Sequence, residues 1–307
     1  MKSKDAALLV VLSLIWGSAF TMNGVVVDEV SPLTIVAGRL VLAAVLLTAS
    51  TLIFRGSLAP RSTWGVLFVL AALNNVIPFT LITWAQEHIT SSLAATLNAT
   101  MPLMTFVIAA IAGTERPETD RAFGVAIGFV GAIVLIGPDL GEITSSSGLG
   151  DLAVLAGSMS YAASTVIARQ KLRGDPMALA SGQMIFGALI ALPLALAIDG
   201  APDLSISAKA GLSWIGLGVL SSGLAYVIFF ALVQRMSATS VSLVSYLIPV
   251  VATVLGWALL DEHIGVNLFI GLALIIAGMV LVNGTLRRRA GPDTAEIGAA
   301  GASATGD

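Results

Sequence analysis

The 307-residue chain has no cysteine, two histidines, and charge on 11% of its residues. Without cysteine there is no disulfide, no thiolate metal ligand and no thiol nucleophile. Soluble chains carry about 25% charged residues, so most of this surface does not face water. Gly-x-Ser-x-Gly is absent, and His88 and His263 sit at the ends of apolar segments. An intramembrane serine hydrolase needs a nucleophile with a base in reach, and a metal hydrolase needs several His or carboxylate ligands. Neither set is present, so an intramembrane enzyme is a remote alternative. No cofactor, metal or nucleic-acid partner is expected. The net charge of −3 carries little information, whereas the placement of the charges carries a great deal.

What the chain does have is apolar sequence. It makes up 57% of the residues, in recurring runs close to the ~20 residues that span a bilayer. Breaks at Pro, Gly and charged clusters delimit ten candidate helices. They lie near Ala6–Val27, Pro32–Phe54, Thr63–Gln86, Ser92–Gly113, Arg121–Gly137, Leu149–Ala168, Met177–Ile198, Ala210–Leu232, Thr239–Leu260 and Gly265–Asn283. Lys2 and Lys4 precede a run too long for a signal peptide, and it reads as an uncleaved first helix. Residues 287–307 read as a disordered cytoplasmic tail, because their Gly, Ala and Thr have little to bury.

Basic residues favour cytoplasmic loops. With the N-terminus inside, the inner segments hold Lys2, Lys4, Arg55, Arg61, Arg116, Arg121, Arg169, Lys171, Arg173, Arg235 and Arg287 to Arg289. The outer segments hold Lys209 and a run of acids that includes Glu29, Glu87, Asp199 and Glu262. Both termini are therefore expected in the cytoplasm.

The chain also repeats itself. One offset pairs Pro102 with Pro249, Asn75 with Ser222, Phe79 with Tyr226, Asn98 with Ser245, Glu115 with Glu262, Gly124 with Gly271 and Gly131 with Gly278. Upstream, with the offset shifted by two or three residues, Trp16 pairs with Tyr161, Pro32 with Pro176 and Arg39 with Gln183. Each copy holds five helices, an odd number, so tandem copies have opposite orientation. The expected fold is an all-α integral membrane protein. It has ten transmembrane helices as two inverted five-helix repeats, residues 1–140 and 141–286. Inverted repeats place substrate sites near the midplane, where the halves meet.

The residues with chemistry recur at twin positions. Helix three offers Asn75 and Phe79 at i, i+4 spacing, and helix eight offers Ser222 and Tyr226. Helix one offers Trp16 and Phe20, and helix six offers Tyr161. Asn98 and Met101 on helix four answer Ser245 and Tyr246 on helix nine. Polar stripes at membrane depth face protein or a water-filled cavity, so these residues are candidate substrate contacts. Their alternative role is interhelical bonding at about 0.6 kcal/mol each. Asn74 neighbours Asn75, and one of the two must point elsewhere.

Arg39 is the one strongly charged residue well inside a span, and such a group is a functional candidate by default. It either meets an anionic group of the substrate or ties helices together, and its place about two turns after Pro32 allows snorkelling. Gln183, its neutral twin, makes the site asymmetric. Pro102 and Pro249 are candidate hinges. Gly124, Gly128, Gly131, Gly271 and Gly278 form faces for close helix packing, inside the protein or in a homodimer. No Asp or Glu lies deep in a span, so passive or exchange transport is expected over coupling through a buried acid.

These features resemble the EamA-type members of the drug/metabolite transporter superfamily. The resemblance rests on Ser13-x-x-Trp16-Gly17-Ser18, Pro32 with Arg39, Pro102 and Pro249, the segments at 113–116 and 260–263, and the Gly-rich fifth and tenth helices. It implies a multi-pass protein of the bacterial inner membrane that exports small metabolites or drugs through a central cavity. The expected mechanism is alternating access for small amphipathic compounds, amino acids first, by a monomer or homodimer. A lipid or lipid-precursor flippase is the alternative.

Overall fold

The computed structural model describes residues 3–113, 119–136, 146–203, 205–235 and 244–288. Every regular element among them is helical. The helices are α1 (Ser3–Val27), α2 (Pro32–Arg55), α3 (Trp64–Ala71), α4 (Ile77–Ala85), α5 (Ser91–Asn98), α6 (Met101–Ile111), α7 (Thr119–Ile136), α8 (Ser146–Lys171), α9 (Pro176–Ile198), α10 (Ala208–Gly216), α11 (Ala225–Arg235), α12 (Val244–Leu260) and α13 (Val266–Arg288). Two π-helical segments, Ala72–Val76 and Leu217–Leu224, join α3 to α4 and α10 to α11 without a break.

The sequence marks many of the ends. Asp175 caps α9 by accepting from the backbone N–H groups of Met177 (3.1 Å) and Ala178 (3.0 Å), with Pro176 at the first helical position. Such a cap satisfies donors that the helix itself leaves open. Ser207 caps α10 and Thr90 caps α5 in the same way. Gly56 ends α2 at φ 74°, a left-handed conformation that favours glycine. Between α5 and α6 the chain makes a turn at Ala99 and Thr100, and Pro102 enters as the second residue of α6, where a missing N–H costs nothing.

Seven helical runs among the described residues are long and apolar enough to cross a membrane: Ala7–Val27, Pro32–Arg55, Arg61–Ala85, Ser91–Ile111, Ser147–Lys171, Pro176–Ile198 and Ala208–Arg235. Leu247–Leu260 and Val266–Val282 are shorter apolar helices. The surface is inverted relative to a soluble protein. Ile53, Phe54, Leu189, Ile198, Leu212, Trp257 and Phe269 point outward, while Asn75, Ser158, Gln183 and Ser222 are buried. Lipid tails solvate the first set, and every polar group in the second must find its partner within the protein.

Packing brings residues far apart in sequence together. α2 lies along α9, α1 along α12, α8 along α4 and α6, and α7 along α13. The last pair needs glycine. A Cβ added at Gly124 would stand 2.7 Å from the carbonyl oxygen of Gly278, and one at Gly131 would stand 2.7 Å from that of Gly271. The small-residue faces are therefore used inside the molecule, with backbone against backbone.

Candidate functional site

A cavity runs between the two halves of the chain. It occupies ≈ 1520 Å³ with the part continuous with solvent included. Trp16, Phe20 and Asn23 come from α1, Arg39 from α2, Phe79 and Thr83 from α4, and Asn98 from α5. Met101, Pro102 and Thr105 come from α6, Tyr161, Thr165 and Arg169 from α8, Tyr226 and Phe229 from α11, and Ser245 from α12. Nine of the expected substrate contacts, and the candidate hinge Pro102, thus line one cavity.

Asn75, Ser222 and Gln183 do not line it, and each is fully buried behind the wall. The reason is backbone geometry. Asn75 and Ser222 lie in the π-helical segments, where the bond pattern is i to i+5 rather than i to i+4. The face that carries Phe79 is continued by Asn74, five residues before it, and the face of Tyr226 by Ser221, again five residues before. An α-helical period therefore selects the neighbour of the correct residue in both halves. A π-turn also loosens the backbone ladder. The carbonyl of Asn74 accepts from the Tyr226 hydroxyl (2.9 Å), and that of Ser221 accepts from Trp16 Nε1 (3.3 Å).

Arg39 is 5% exposed. Its Nε donates to Ser222 Oγ (2.9 Å), one terminal nitrogen donates to Ser221 Oγ (3.0 Å), and its guanidinium carbon stands 3.9 Å from the centre of the Phe79 ring. Gln183 makes the corresponding contact in the other half, donating from Nε2 to Asn75 Oδ1 at 2.5 Å. Aromatic contacts also recur. Trp16 meets Tyr226 with ring centres 6.0 Å apart, and Tyr161 meets Phe79 at 6.3 Å.

Asn23, Thr83 and Gln86 of the lining belong to a buried polar network. Thr83 Oγ1 donates to Asn23 Oδ1 (3.1 Å), and Asn23 Nδ2 donates to Gln86 Oε1 (2.7 Å). Gln86 Nε2 donates to the Phe20 carbonyl (2.9 Å) and to Ser91 Oγ (2.8 Å). Glu262, in the turn between α12 and α13, accepts from the N–H groups of Ser91 (2.6 Å) and Ser92 (3.0 Å) and from the Ser92 hydroxyl. A carboxylate on amides at the start of a helix is favourable for both charge and hydrogen bonding. Asp261 at φ 52° turns the chain just before Glu262, a conformation that Asp tolerates better than most residues. Gly24 leaves the room, since a Cβ there would stand 2.6 Å from Ser91 Oγ. Nearby, partial burial holds the Glu87 carboxyl above the usual range, against the pull of His88, while Asp199 pushes the same way as burial. The lining also includes exposed Arg169.

Sequence reasoning missed Asn23 and Ser221, although Asn23 continues the Trp16 and Phe20 face at i+7 and Ser221 is the twin of Asn74 under the same repeat offset. It also missed Asp151, which is fully buried in the first turns of α8, near the start of that span rather than deep within it. Asp151 does not line the cavity. Pro102 lines the cavity at the α5–α6 turn, and Pro249 lies inside α12 without reaching the wall. The Tyr246 side chain and Glu115 lie outside the described residues, as does the tail beyond residue 288. Among the described residues no cluster of His, Asp and Glu could hold a metal.

The EamA-like transporter family model matches residues 4–137 and 148–284. The uncharacterized transporter YoaV of Bacillus subtilis (strain 168) is 24% identical over 283 residues, covering 92% of this chain and 97% of its own length. The uncharacterized inner membrane transporter YedA of Escherichia coli (strain K12) is 27% identical over 281 residues, covering 89% of each chain. A solved crystal structure aligns with a TM-score of 0.70 and 19% identity, over 94% of this chain and 100% of its own. That last likeness concerns the fold.

Proposed function

This chain belongs to the EamA-like transporter family, and on that premise we propose that it is a secondary transporter of small amphipathic metabolites, amino acids among them. It works by alternating access in the bacterial inner membrane, with both termini cytoplasmic. Its ten spans form two inverted repeats, residues 1–140 and 141–286. The observation that carries the reading is the packing in and behind the cavity wall, where contacts recur at twin positions. Arg39 with Ser222 answers Gln183 with Asn75, and Trp16 with Tyr226 answers Tyr161 with Phe79. The two π-segments and the crossed glycine contacts, Gly124 with Gly278 and Gly131 with Gly271, obey the same exchange.

A site on such an axis needs one closed end and one reachable end, exchanged by rocking of the halves. The Glu262–Ser91–Gln86–Asn23 network is the closed outer end of this state. Arg169 marks the cytoplasmic mouth. Substrate lies against Trp16, Phe20, Phe79, Tyr161 and Tyr226, while Asn98, Ser245 and Ser221 orient its polar groups. Pro102, at the turn between α5 and α6, is the hinge on one side, and Pro249 in α12 is its counterpart.

The chain has no native cysteine, so single cysteines report access directly. Trp16→Cys, Asn98→Cys, Tyr226→Cys and Ser245→Cys become labelled by an impermeant thiol reagent from the cytoplasmic side, and substrate slows the labelling. Were none of the four to react from either side, no cavity would connect them. In reconstituted liposomes the protein releases labelled amphipathic metabolites faster than empty vesicles do. Phospholipid scrambling without metabolite flux would replace transport by flipping.

A further inference from the structure

We propose that the cavity selects amphipathic organic anions, docked by a carboxylate at Arg39, over zwitterions and cations of the same shape. This rests on the cavity being the substrate site, as argued above, and narrows the substrate class.

The first ground is the charge inventory of the wall. Arg39 and Arg169 are its ionised side chains among the described residues, with no Asp, Glu, His or Lys in the described lining. Arg39 is buried, and both of its bonded partners are neutral serine hydroxyls. A salt bridge joins Arg55 to Asp175, away from this site. A buried cation without a counter-charge is costly, and an anion brought into the same low-dielectric space is attracted far more strongly than in water. An ammonium group finds the opposite. It meets a positive field, and no carboxylate among the lining residues accepts from it.

The second ground is geometry. Ser222 and Ser221 hold Nε and one terminal nitrogen, at 2.9 and 3.0 Å, and Phe79 covers one face. The guanidinium is thus fixed, while its other terminal nitrogen has no hydrogen-bond partner among the described residues. The end-on edge, with one N–H from each terminal nitrogen, matches the two oxygens of a carboxylate. Ser221 Oγ already accepts from Arg39, which leaves its own proton to donate to the same anion. Around this head group the wall is aromatic, with Trp16, Phe79, Tyr161, Tyr226 and Phe229, so the body of the ligand is apolar.

The test uses the purified full chain in lipid nanodiscs and calorimetric binding of three probes of similar size. These are 3-phenylpropionate, L-phenylalanine and 2-phenylethylammonium. The expected order of affinity is the same as the order given, with phenylpropionate about tenfold or more tighter than the cation, the scale of one charged hydrogen bond. Arg39→Gln abolishes the order by weakening phenylpropionate about tenfold. Arg39→Lys keeps the order at lower affinity, and Ser221→Ala weakens phenylpropionate selectively. An arginine that merely braces helices would change thermal stability and leave the order intact. Binding of the cation as tightly as the anion, an unchanged order in a folded Arg39→Gln protein, or no binding of any probe overturns the proposal. If Arg39→Gln does not fold, the wild-type order decides alone. Liposome flux, with empty vesicles as control, separates the two readings. Arg39-dependent binding of the anion without flux removes transport and leaves the selectivity, whereas flux of the cation or zwitterion ahead of the anion removes the selectivity and leaves transport.

Discussion

Arg39 and Gln183 occupy corresponding positions in the two halves, and each bonds the residue that corresponds to the other's partner. Arg39 bonds Ser222 and is turned to the cavity, while Gln183 bonds Asn75 and is sealed behind the wall. One scaffold therefore serves two ends. An amide carries no net charge and tolerates a fully buried position, where Gln183 Nε2 donates to Asn75 while its Oε1 has no hydrogen-bond partner among the described residues. A guanidinium needs either an anion or access to water, and the cavity provides that access. The repeat supplies the contact, and the side chain decides whether the contact is a brace or a binding site.

The sharpest way to break this comparison is to move the charge. Gln183→Arg places a cation where no cavity reaches, and it should destabilise the folded protein by about 3 kcal/mol, read as a loss of folded protein in detergent thermal melts. A variant as stable as wild type would mean that the two positions are equivalent. Next come the partners. Ser222→Ala removes an acceptor from a buried charge, with an expected cost of about 2 kcal/mol. Asn75→Ala leaves a neutral amide short of one bond, at about 1 kcal/mol. Equal losses in chemical denaturation would contradict the distinction between binding site and brace.

The two ends of the cavity offer a third contrast. Glu262→Gln weakens the bonds to the Ser91 and Ser92 amides. With Phe79→Cys as reporter, labelling by an impermeant reagent from the outer side should rise about fivefold, as a loss of ~1 kcal/mol of closure predicts. No increase would show that the network does not hold that end shut.

The smallest effects concern two glutamates outside the spans, with opposite responses to pH. The hydroxyl and N–H of Ser207 hold the Glu29 carboxyl below the usual range. Its contribution is present above the unfolded value near 4.3 and is lost as pH falls through the lower folded value. Glu87 is shifted upward, mainly by burial, so its charged form is the disfavoured one and stability falls as pH rises through its range. Melts between pH 3 and 7 should show Glu29→Gln less stable than wild type at the upper end and converging with it in acid. Glu87→Gln should be the more stable protein at the upper end. Parallel curves would remove both assignments.

Much of this was legible beforehand. The helix start at Pro32, the aromatic residues of the wall and the glycine faces all follow from local chemistry that a sequence displays. Asn75 and Ser222 were assigned to the wall, and they sit one residue behind it. A 3.6-residue period assumes an unbroken α-helix, and nothing in Ala72–Val76 or Leu217–Leu224 announces a π-turn. Asp151 escaped notice for a related reason. Its position near the start of a span reads as interfacial, and its burial depends on the helices that surround α8.

Composition by itself determined that this chain avoids water over most of its surface, and the spacing of a few Pro, Gly and aromatic residues pairs positions in its two halves. Those properties are local or periodic, so a linear string contains them. Which neighbour of each pair faces the cavity was decided by the tertiary structure alone. So was the placing of Arg39 against two serines rather than a carboxylate, and of Glu262 against the start of α5. Each depends on elements far apart in the chain meeting at ångström distances, and on backbone bonds that trade an i+4 partner for an i+5 partner to let them meet.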